Sequence, residues 1–292
     1  MKRLGVRATG QIPLREVSGL GQRRDTRARS LQVLAVGDDA FTVAVGTMAD
    51  AWGVPAFDTV SVEAVLARAA GRAGSEWEAA DGDTSGRVFI LQESPSKVFV
   101  LGPGLDELVH VIDLELAPDE RAEVGWDASP NARAEGLVLL RNGHVLVAKE
   151  KDPPLLMEFG PPREPAAGAR RDLLFSGGAA FPVPRGRRSR FSLQTVWRLG
   201  GDAAREIGDI SDLAVGPDQL LYLLSDESRC IARLQAELAA PSEHLEATAR
   251  WALPDALEQP EGLVVLDGMI PIVAVDRPDP GEALFVLEPL EG

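Results

Sequence analysis

The amino-acid sequence predicts an all-β protein that folds as a single β-propeller over residues 1–292, and three observations support this. First, a unit of two apolar runs around a polar turn recurs five times along the chain. Second, four of the five copies have the same 15-residue spacing between their first and last polar residues. Third, no apolar run reaches the roughly 20 residues of a membrane-spanning helix. Five copies favour five blades, and a degenerate sixth blade within residues 160–200 is the alternative.

The clearest copy of the unit is the third, which begins at Glu135. Its two apolar runs, Leu137–Leu140 and Val145–Ala148, flank the dipeptide Asn142-Gly143, which is a strong β-hairpin signal. The first and last polar residues of the five copies are Ser18 and Asp38, Glu78 and Glu93, Glu135 and Glu150, Ser211 and Asp226, and Glu261 and Asp276. The first copy has a longer, arginine-rich turn, so its two ends are 20 residues apart.

Apolar runs after the repeated units predict the outer strands of the blades. These runs are Lys97–Leu101, Leu108–Ile112, Leu155–Phe159, Cys230–Leu234 and Ala283–Leu287. A propeller must also close its ring, and Arg3–Ile12 is predicted to add the missing outer strand of the last blade. Val62–Arg72 is compatible with either an outer strand or a short helix. The Pro-, Gly- and Arg-rich segment 160–190 is predicted to be a long loop insertion between the third and fourth blades.

Composition limits the partners and the compartment. The net charge of −15 disfavours binding to nucleic acid or to an anionic membrane. Arginine clusters at 23–29 and 185–190 are predicted to be solvated loops, with docking of an acidic partner at 185–190 as the alternative. Cys230 is the single cysteine, so no intrachain disulfide can form. The basic N-terminus lacks an apolar stretch and predicts a cytoplasmic protein as written; prior removal of a signal would leave an exported or periplasmic location open.

The ends of the repeated unit predict a site rich in carboxylates. In a propeller the first strand of each blade lines the central channel, so the start residues should form a ring at one mouth. These are Ser18, Glu78, Glu135, Ser211 and Glu261. The end residues should form a second, wider acidic ring, consisting of Asp38, Glu93, Glu150, Asp226 and Asp276. Converging carboxylates repel one another, and Ca²⁺ takes about 6–8 oxygen ligands, so the inner ring is predicted to bind Ca²⁺.

Two alternatives to the calcium site stay open at this point. Acidic residues at strand ends also accept backbone hydrogen bonds and stabilise turns. Lys149 and Arg277 are close enough in sequence to the outer ring to neutralise part of its charge without a metal.

The sequence favours a non-catalytic binding or scaffold propeller for a small molecule or a protein. No zinc-protease, serine-hydrolase or P-loop motif occurs. His110 and His144 are predicted away from the ring, so neither is placed to act as a general base. A calcium-dependent hydrolase that acts on a lactone, an ester or a phosphate at the channel mouth is the alternative.

Three stretches resemble the SdiA-regulated domain family, a group of bacterial β-propeller proteins of poorly known function. They are EGLVLLRNGHVLVAKEKDPPLLMEF from Glu135, DISDLAVGPDQLLYLLSDESRCIARL from Asp209 and QPEGLVVLDGMIPIVAVDRPDPGEALFVL from Gln259. The resemblance extends over most of Glu16–Leu287. It implies a propeller with a bound calcium ion and implies no established activity. Most members of the family carry an export signal or an anchor, which this sequence as written does not show.

Overall fold

The computed structural model of this chain describes residues 1–24, 30–48, 53–67, 69, 74–128, 133–175, 180–235, 237–238 and 244–291. Regular structure in these residues is almost entirely β-strand. The helices within them are α1 (Glu63–Leu66), α2 (Pro118–Glu123) and α3 (Ala203–Glu206). No helix in this part of the chain is long and apolar enough to cross a membrane. The predicted all-β class is therefore confirmed.

The described strands form five antiparallel blades, and each blade has four strands in order from the inside outward. Two strands, β1 (Lys2–Arg3) and β2 (Val6–Ile12), precede the first blade in the chain. The first blade contains β3 (Val17–Arg24), β4 (Leu31–Gly37), β5 (Thr42–Thr47) and β6 (Ala56–Ser61). The second contains β7 (Trp77–Gly82), β8 (Val88–Gln92), β9 (Lys97–Leu101) and β10 (Leu108–Glu115). The third contains β11 (Gly136–Leu139), β12 (Val145–Lys149), β13 (Leu155–Gly160) and β15 (Arg188–Arg198).

The last two blades complete the ring. The fourth contains β16 (Asp212–Val215), β17 (Leu221–Ser225), β18 (Cys230–Leu234) and β20 (Ala247–Ala252). The fifth contains β21 (Pro260–Leu266), β22 (Ile270–Val275), β23 (Gly281–Leu287) and the N-terminal β2. The innermost strands contact one another in the order β3, β7, β11, β16 and β21, and β21 returns to β3. The ring of five blades is thus closed, as the five repeats predicted.

The N-terminal residues close the ring as the outermost strand of the fifth blade. Strand β2 pairs antiparallel with β23, with Thr9 opposite Phe285. This confirms the predicted role of the segment, with one difference at its start. Arg3 belongs to β1, which pairs parallel with β20 of the fourth blade, so the N-terminus connects the last two blades.

The inner strands pack so closely that the second position of the repeat is constrained. A Cβ atom on Gly19 would lie 2.3 Å from the carbonyl oxygen of Glu78 in the next blade. Gly136 and Gly262 have comparable contacts, at 2.8 and 2.7 Å, with the inner strand that follows. Such distances are well inside van der Waals contact, so a side chain is excluded at these positions. The second and fourth copies depart from this pattern, since they have Ala79 and Asp212 there.

The structure corrects the predicted position of segment 160–190 and decides between the two alternatives for Val62–Arg72. Segment 160–190 lies inside the third blade, between β13 and β15, and not between the third and fourth blades as predicted. Its strand β15 pairs with β13 on one side and runs parallel with β10 of the second blade on the other. A short strand within it, β14 (Ala169–Arg170), pairs with β19 (Glu237–Leu238). The described part of 160–200 therefore contributes no sixth blade. For Val62–Arg72 the helix is correct over α1, and Arg72 lies outside the described residues.

Candidate functional site

The acidic residues of the repeat surround a cavity of about 470 Å³ at one mouth of the propeller. Eight of the ten residues predicted for the two rings line it, namely Ser18, Glu78, Glu135, Glu261, Asp38, Glu93, Glu150 and Asp276. Glu16 and Glu76 also line it, although sequence reasoning missed them. Both lie two residues before a start position, so the same repeat register could have found them. The other two predicted residues, Ser211 and Asp226, do not line this cavity.

Hairpin geometry explains why the two rings meet at one face. Each start residue lies at the beginning of an inner strand, and each end residue follows the second strand of the same blade. The backbone N–H of Glu93 donates to the carbonyl of Glu76 at 2.9 Å, and that of Asp276 donates to Gln259 at 2.8 Å. These bonds hold the open end of each hairpin together and bring its acidic residues to the same mouth.

In the fourth blade the predicted ring residues serve a turn. The buried carboxylate of Asp209 accepts hydrogen bonds from the Ser211 hydroxyl at 3.1 Å and from the backbone N–H of Asp226 at 3.1 Å. It also accepts bonds from the Ser225 hydroxyl and from the N–H of Glu227. Stabilisation of a turn, one of the two alternatives to a calcium site, is therefore the arrangement found in this blade. Ser18 is engaged as well, since its hydroxyl donates to the carbonyl of Trp77 in the second blade.

Burial and mutual repulsion make the mouth carboxyls hard to ionise. Burial, together with the nearby carboxylates of Glu93 and Asp38, raises the pKa of Glu78 to about 8. Burial raises the pKa of Glu135 and of Glu261 well above the ordinary carboxyl value, and neighbouring carboxylates add to the shift. Glu78 and Glu135 act on each other, since the interaction with Glu135 limits the rise in the pKa of Glu78, and the charge of Glu78 adds to the rise in the pKa of Glu135.

The outer ring follows the same trend. Burial and a hydrogen bond with Glu16 raise the pKa of Asp38 to about 6. Burial is also the main cause that raises the pKa of four further carboxyls, Glu93, Glu150, Asp226 and Asp276. The mouth thus crowds together carboxyl groups whose ionised forms are unfavourable in the folded protein.

Several carboxylate oxygens at the mouth have no partner in the described residues. Glu76 Oε2 and Asp276 Oδ1 are buried and accept no hydrogen bond there. The side chain of Glu261 likewise makes no hydrogen bond or ion pair with any described residue, and burial and neighbouring carboxylates both oppose its ionisation. An unpaired buried carboxylate is costly, so these oxygens favour a ligand that brings positive charge or hydrogen-bond donors.

Basic residues near the mouth compensate for part of this charge. Arg133 lines the cavity, its backbone N–H donates to Glu93 Oε1 at 3.0 Å, and its charge lowers the pKa of Glu93. Lys151 pairs with Glu150 at 2.8 Å. Lys149, an expected source of neutralisation, instead donates to backbone carbonyls, among them that of Asp152 at 3.1 Å. Arg277, the other expected source, is exposed and does not line the cavity. Across the described residues, no three His, Cys, Asp or Glu side chains are grouped so that they could hold a metal ion as they stand.

Deeper in the channel lie two aspartates that sequence reasoning missed. Asp212 is buried and accepts backbone N–H bonds from Leu213 and Leu263 at 2.7 Å and from Leu20 at 3.5 Å, so it connects three inner strands. Burial raises its pKa well above the ordinary value, and burial raises that of Asp81 to about 7. A small cavity of about 20 Å³ lies beside Asp81, and Phe175 from the long insertion lines it. The available signal was that Asp212 stands where three of the other copies have glycine and the second copy has Ala79.

A groove of about 680 Å³ adjoins the acidic cavity at the second and third blades. The two share Glu93, Ser94 and Arg133. Basic side chains predominate in the groove, namely Lys97, Arg121, Arg133, Arg188 and Arg190. Arg188 and Arg190 belong to the arginine cluster that was predicted to be a solvated loop, but they lie in strand β15. Arg188 forms a bidentate ion pair with Asp113 at 2.5 and 2.7 Å. Arg190 pairs with Glu115 at 3.2 Å.

The two buried histidines lie away from the acidic cavity, as the sequence predicts. The ring of His110 is hydrogen-bonded to the carbonyl of Gly186 and to the hydroxyl of Ser189, at 3.0 and 2.8 Å. The ring of His144 lies between Glu158 at 2.5 Å and Glu164 at 3.1 Å. Neither residue lines the acidic cavity.

Comparison with known proteins identifies the class of fold. Myxococcus xanthus glutaminyl cyclase has a TM-score of 0.53 at 8% identity, covering 98% of this chain and 96% of that one. An aldose sugar dehydrogenase from Streptomyces coelicolor in its PQQ-bound form has a TM-score of 0.49 at 11% identity, covering 98% and 97%. A Bacteroides caccae protein of unknown function has a TM-score of 0.46 at 12% identity, covering 89% and 70%.

At 8% identity the likeness to the glutaminyl cyclase concerns the fold alone, and with the closed ring of five blades the protein is a β-propeller. No protein-family model and no curated protein matches the chain. The resemblance to the SdiA-regulated domain family therefore stays a prediction from its sequence motifs.

Proposed function

We propose that this chain is a non-catalytic binding β-propeller that takes a positively charged ligand at its acidic mouth, with Ca²⁺ as the ion that the sequence predicts. The observation that carries the proposal is the set of unpaired carboxylate oxygens on Glu76, Glu261 and Asp276, which face one cavity. A cation would supply the counter-charge that the fold lacks.

The donor chemistry of the mouth fits calcium, whereas the present arrangement of side chains does not yet form a site. Carboxylate oxygens are the ligands that Ca²⁺ prefers. Because no ready group of three exists among the described residues, Glu78, Glu135 and Glu261 would have to turn toward one point. A bound ion would remove the repulsion that opposes this movement. It would then connect the inner strands of the second, third and fifth blades.

The hydrolase alternative needs a group that can exchange a proton beside the ion. Glu78 is the candidate in the cavity, because its pKa of about 8 keeps it protonated near neutral pH. Binding is preferred because both buried histidines are engaged elsewhere in the fold. Turnover of lactone, ester or phosphate substrates with Ca²⁺, lost in Glu78→Gln, would favour the hydrolase instead.

Thermal unfolding at pH 8 with CaCl₂, MgCl₂ or EDTA tests the proposal directly. We expect Ca²⁺ to raise the apparent stability, by about 2.7 kcal/mol at one hundred times its dissociation constant. The combined substitutions Glu135→Gln and Glu261→Gln should abolish the increase. Glu63→Gln is the matched control, since Glu63 is exposed on α1 and does not line the cavity.

A result with no response to any cation, organic or inorganic, in wild type and variants alike would contradict the proposed function. A response to Mg²⁺ equal to that of Ca²⁺ would retain a cation site and reject the predicted ion.

A further inference from the structure

The acidic cavity and the basic groove adjoin each other, and the side chains that predominate in them have opposite charge. Glu93, Ser94 and Arg133 line both, so the two spaces meet at these residues. Their volumes of about 470 and 680 Å³ lie in the range of small-molecule pockets, about 300–1,000 Å³. A bare metal ion would fill a small part of this space.

In the groove, Lys97 is the cation that the described residues leave unpaired. It lies directly opposite Asp113 in the pairing of β9 with β10. Both oxygens of Asp113 are occupied by the guanidinium of Arg188. Lys97 makes no hydrogen bond or ion pair with any residue in the described ranges, although the charge of Asp113 acts on it, and its side chain is half-buried. Burial lowers the pKa of its ammonium group, as expected for a cation that is short of partners.

The unpaired groups therefore have opposite sign in the two adjoining spaces. In the cavity they are the carboxylates of Glu76, Glu261 and Asp276, and in the groove the unpaired group is the ammonium of Lys97. A polyamine would meet basic side chains in the groove, and a dicarboxylate would meet the acidic mouth. A molecule with one cationic and one anionic end satisfies both parts.

We infer that the mouth and the groove together bind a small zwitterionic organic ligand of the short-peptide type. Its cationic end enters the cavity beside Glu261, and its carboxylate contacts Lys97 in the groove. This inference rests on the proposed cation-binding function and adds the chemical class of the ligand. Ammonium and carboxylate ends are also the groups by which proteins capture peptide termini.

Calorimetric titration of the full chain with two tripeptide probes tests this inference. The probes are Lys-Ala-Ala with a free carboxylate and the same peptide as its C-terminal amide. We expect wild type to bind the free acid about tenfold more tightly than the amide, the size of one charge-assisted contact. Lys97→Met should remove this difference, and Lys97→Arg should keep part of it. Glu261→Gln should lower the affinity for both probes by about tenfold.

Two surface substitutions serve as matched controls. Lys2→Met removes an exposed lysine that pairs with Glu291 away from the groove, and Glu63→Gln removes an exposed glutamate on α1. Neither should change the affinity for either probe. Thermal unfolding of Lys97→Met without ligand shows whether the variant is folded.

The outcomes separate the inference from the function on which it rests. Equal affinity of wild type for the acid and the amide, or an acid preference that persists in Lys97→Met, overturns the zwitterionic ligand. If one of these outcomes is found, but the amide binds to wild type and not to Glu261→Gln, the inference fails and the cation-binding function is still supported. If Ca²⁺ stabilises the protein and neither peptide binds, the inference again fails and the function stands. If neither peptide nor any metal ion has an effect, both fail.

Discussion

Single carboxyl groups at the mouth are unfavourable to ionise in the folded protein. Glu78 begins the second inner strand and is surrounded by Glu93, Asp38 and Glu135. Ionisation in that environment is unfavourable, so its folded-state pKa is about 8, above the value of 4.5 expected for an unperturbed glutamate. Such a group contributes stability below its unfolded pKa, and this contribution is lost as the pH rises through the folded value. The acidic mouth should therefore favour folding at mildly acidic pH.

We expect the stability of the ligand-free protein to fall as the pH rises from about 5 to about 8, because one pKa unit corresponds to about 1.4 kcal/mol. Thermal unfolding at several pH values measures this dependence. Glu78→Gln should flatten the slope, since glutamine does not ionise. The raised pKa of His144 also makes stability fall as the pH rises. The difference in slope between wild type and Glu78→Gln therefore reports the contribution of Glu78. An identical slope in both proteins would show that Glu78 is not protonated in the folded state.

At the scale of the elements, the inner strands determine both the packing and the position of the site. The repeat places glycine directly after the start residue in three copies, where the next blade approaches its backbone. This close approach brings start residues of neighbouring blades, such as Glu78 and Glu135, close enough for each to shift the pKa of the other. The contacts that close the ring therefore also concentrate the carboxylates.

Gly19→Ala should destabilise the protein by about 1–3 kcal/mol, the usual cost of forcing a methyl group into a packed interface. Its Cβ would meet the backbone of Glu78 and Ala79 at 2.3 and 2.8 Å, and backbone atoms cannot move aside easily. Gly74→Ala is the control, because a Cβ there meets no atom within 4 Å. Denaturant unfolding measures both variants. Equal midpoints would indicate that the first and second blades separate without cost.

The sequence predicted those elements whose pattern is local. The 15-residue spacing placed six carboxylate residues at one mouth, where Ser18 and Asp38 of the longer first copy join them, because a hairpin brings its two ends together. It failed for Ser211 and Asp226, because Asp209 two residues upstream binds both. Strand β15 was also missed, since it pairs on both sides and buries few of its many polar residues. Such pairing depends on contacts that are distant in sequence, so no local pattern reveals it.

At the scale of the whole molecule, ring closure depends on twelve N-terminal residues. Strand β2 forms the outer edge of the fifth blade, and Ile12 at its end is completely buried. Leu4, between the two N-terminal strands, is buried as well, and β1 extends the fourth blade. The segment thus connects the fourth and fifth blades, whose inner strands also contact each other. Closing the ring in this way leaves no open edge on β23.

Removal of residues 1–12 should lower the unfolding temperature strongly and promote self-association, because β23 then presents an unpaired edge. Removal of residues 1–5 deletes β1 and Leu4 but keeps β2. The free energy of unfolding should then fall by about 2–5 kcal/mol, as for the loss of a buried leucine side chain. A synthetic peptide of residues 1–12, added to the shorter protein, should restore part of the stability by pairing with β23. Calorimetry and gel filtration of the full-length protein and the two truncations measure these effects. If the protein without residues 1–12 unfolded at the same temperature as the full chain and stayed monomeric to the same extent, the ring would be held by its inner strands, and β2 would only cover its edge.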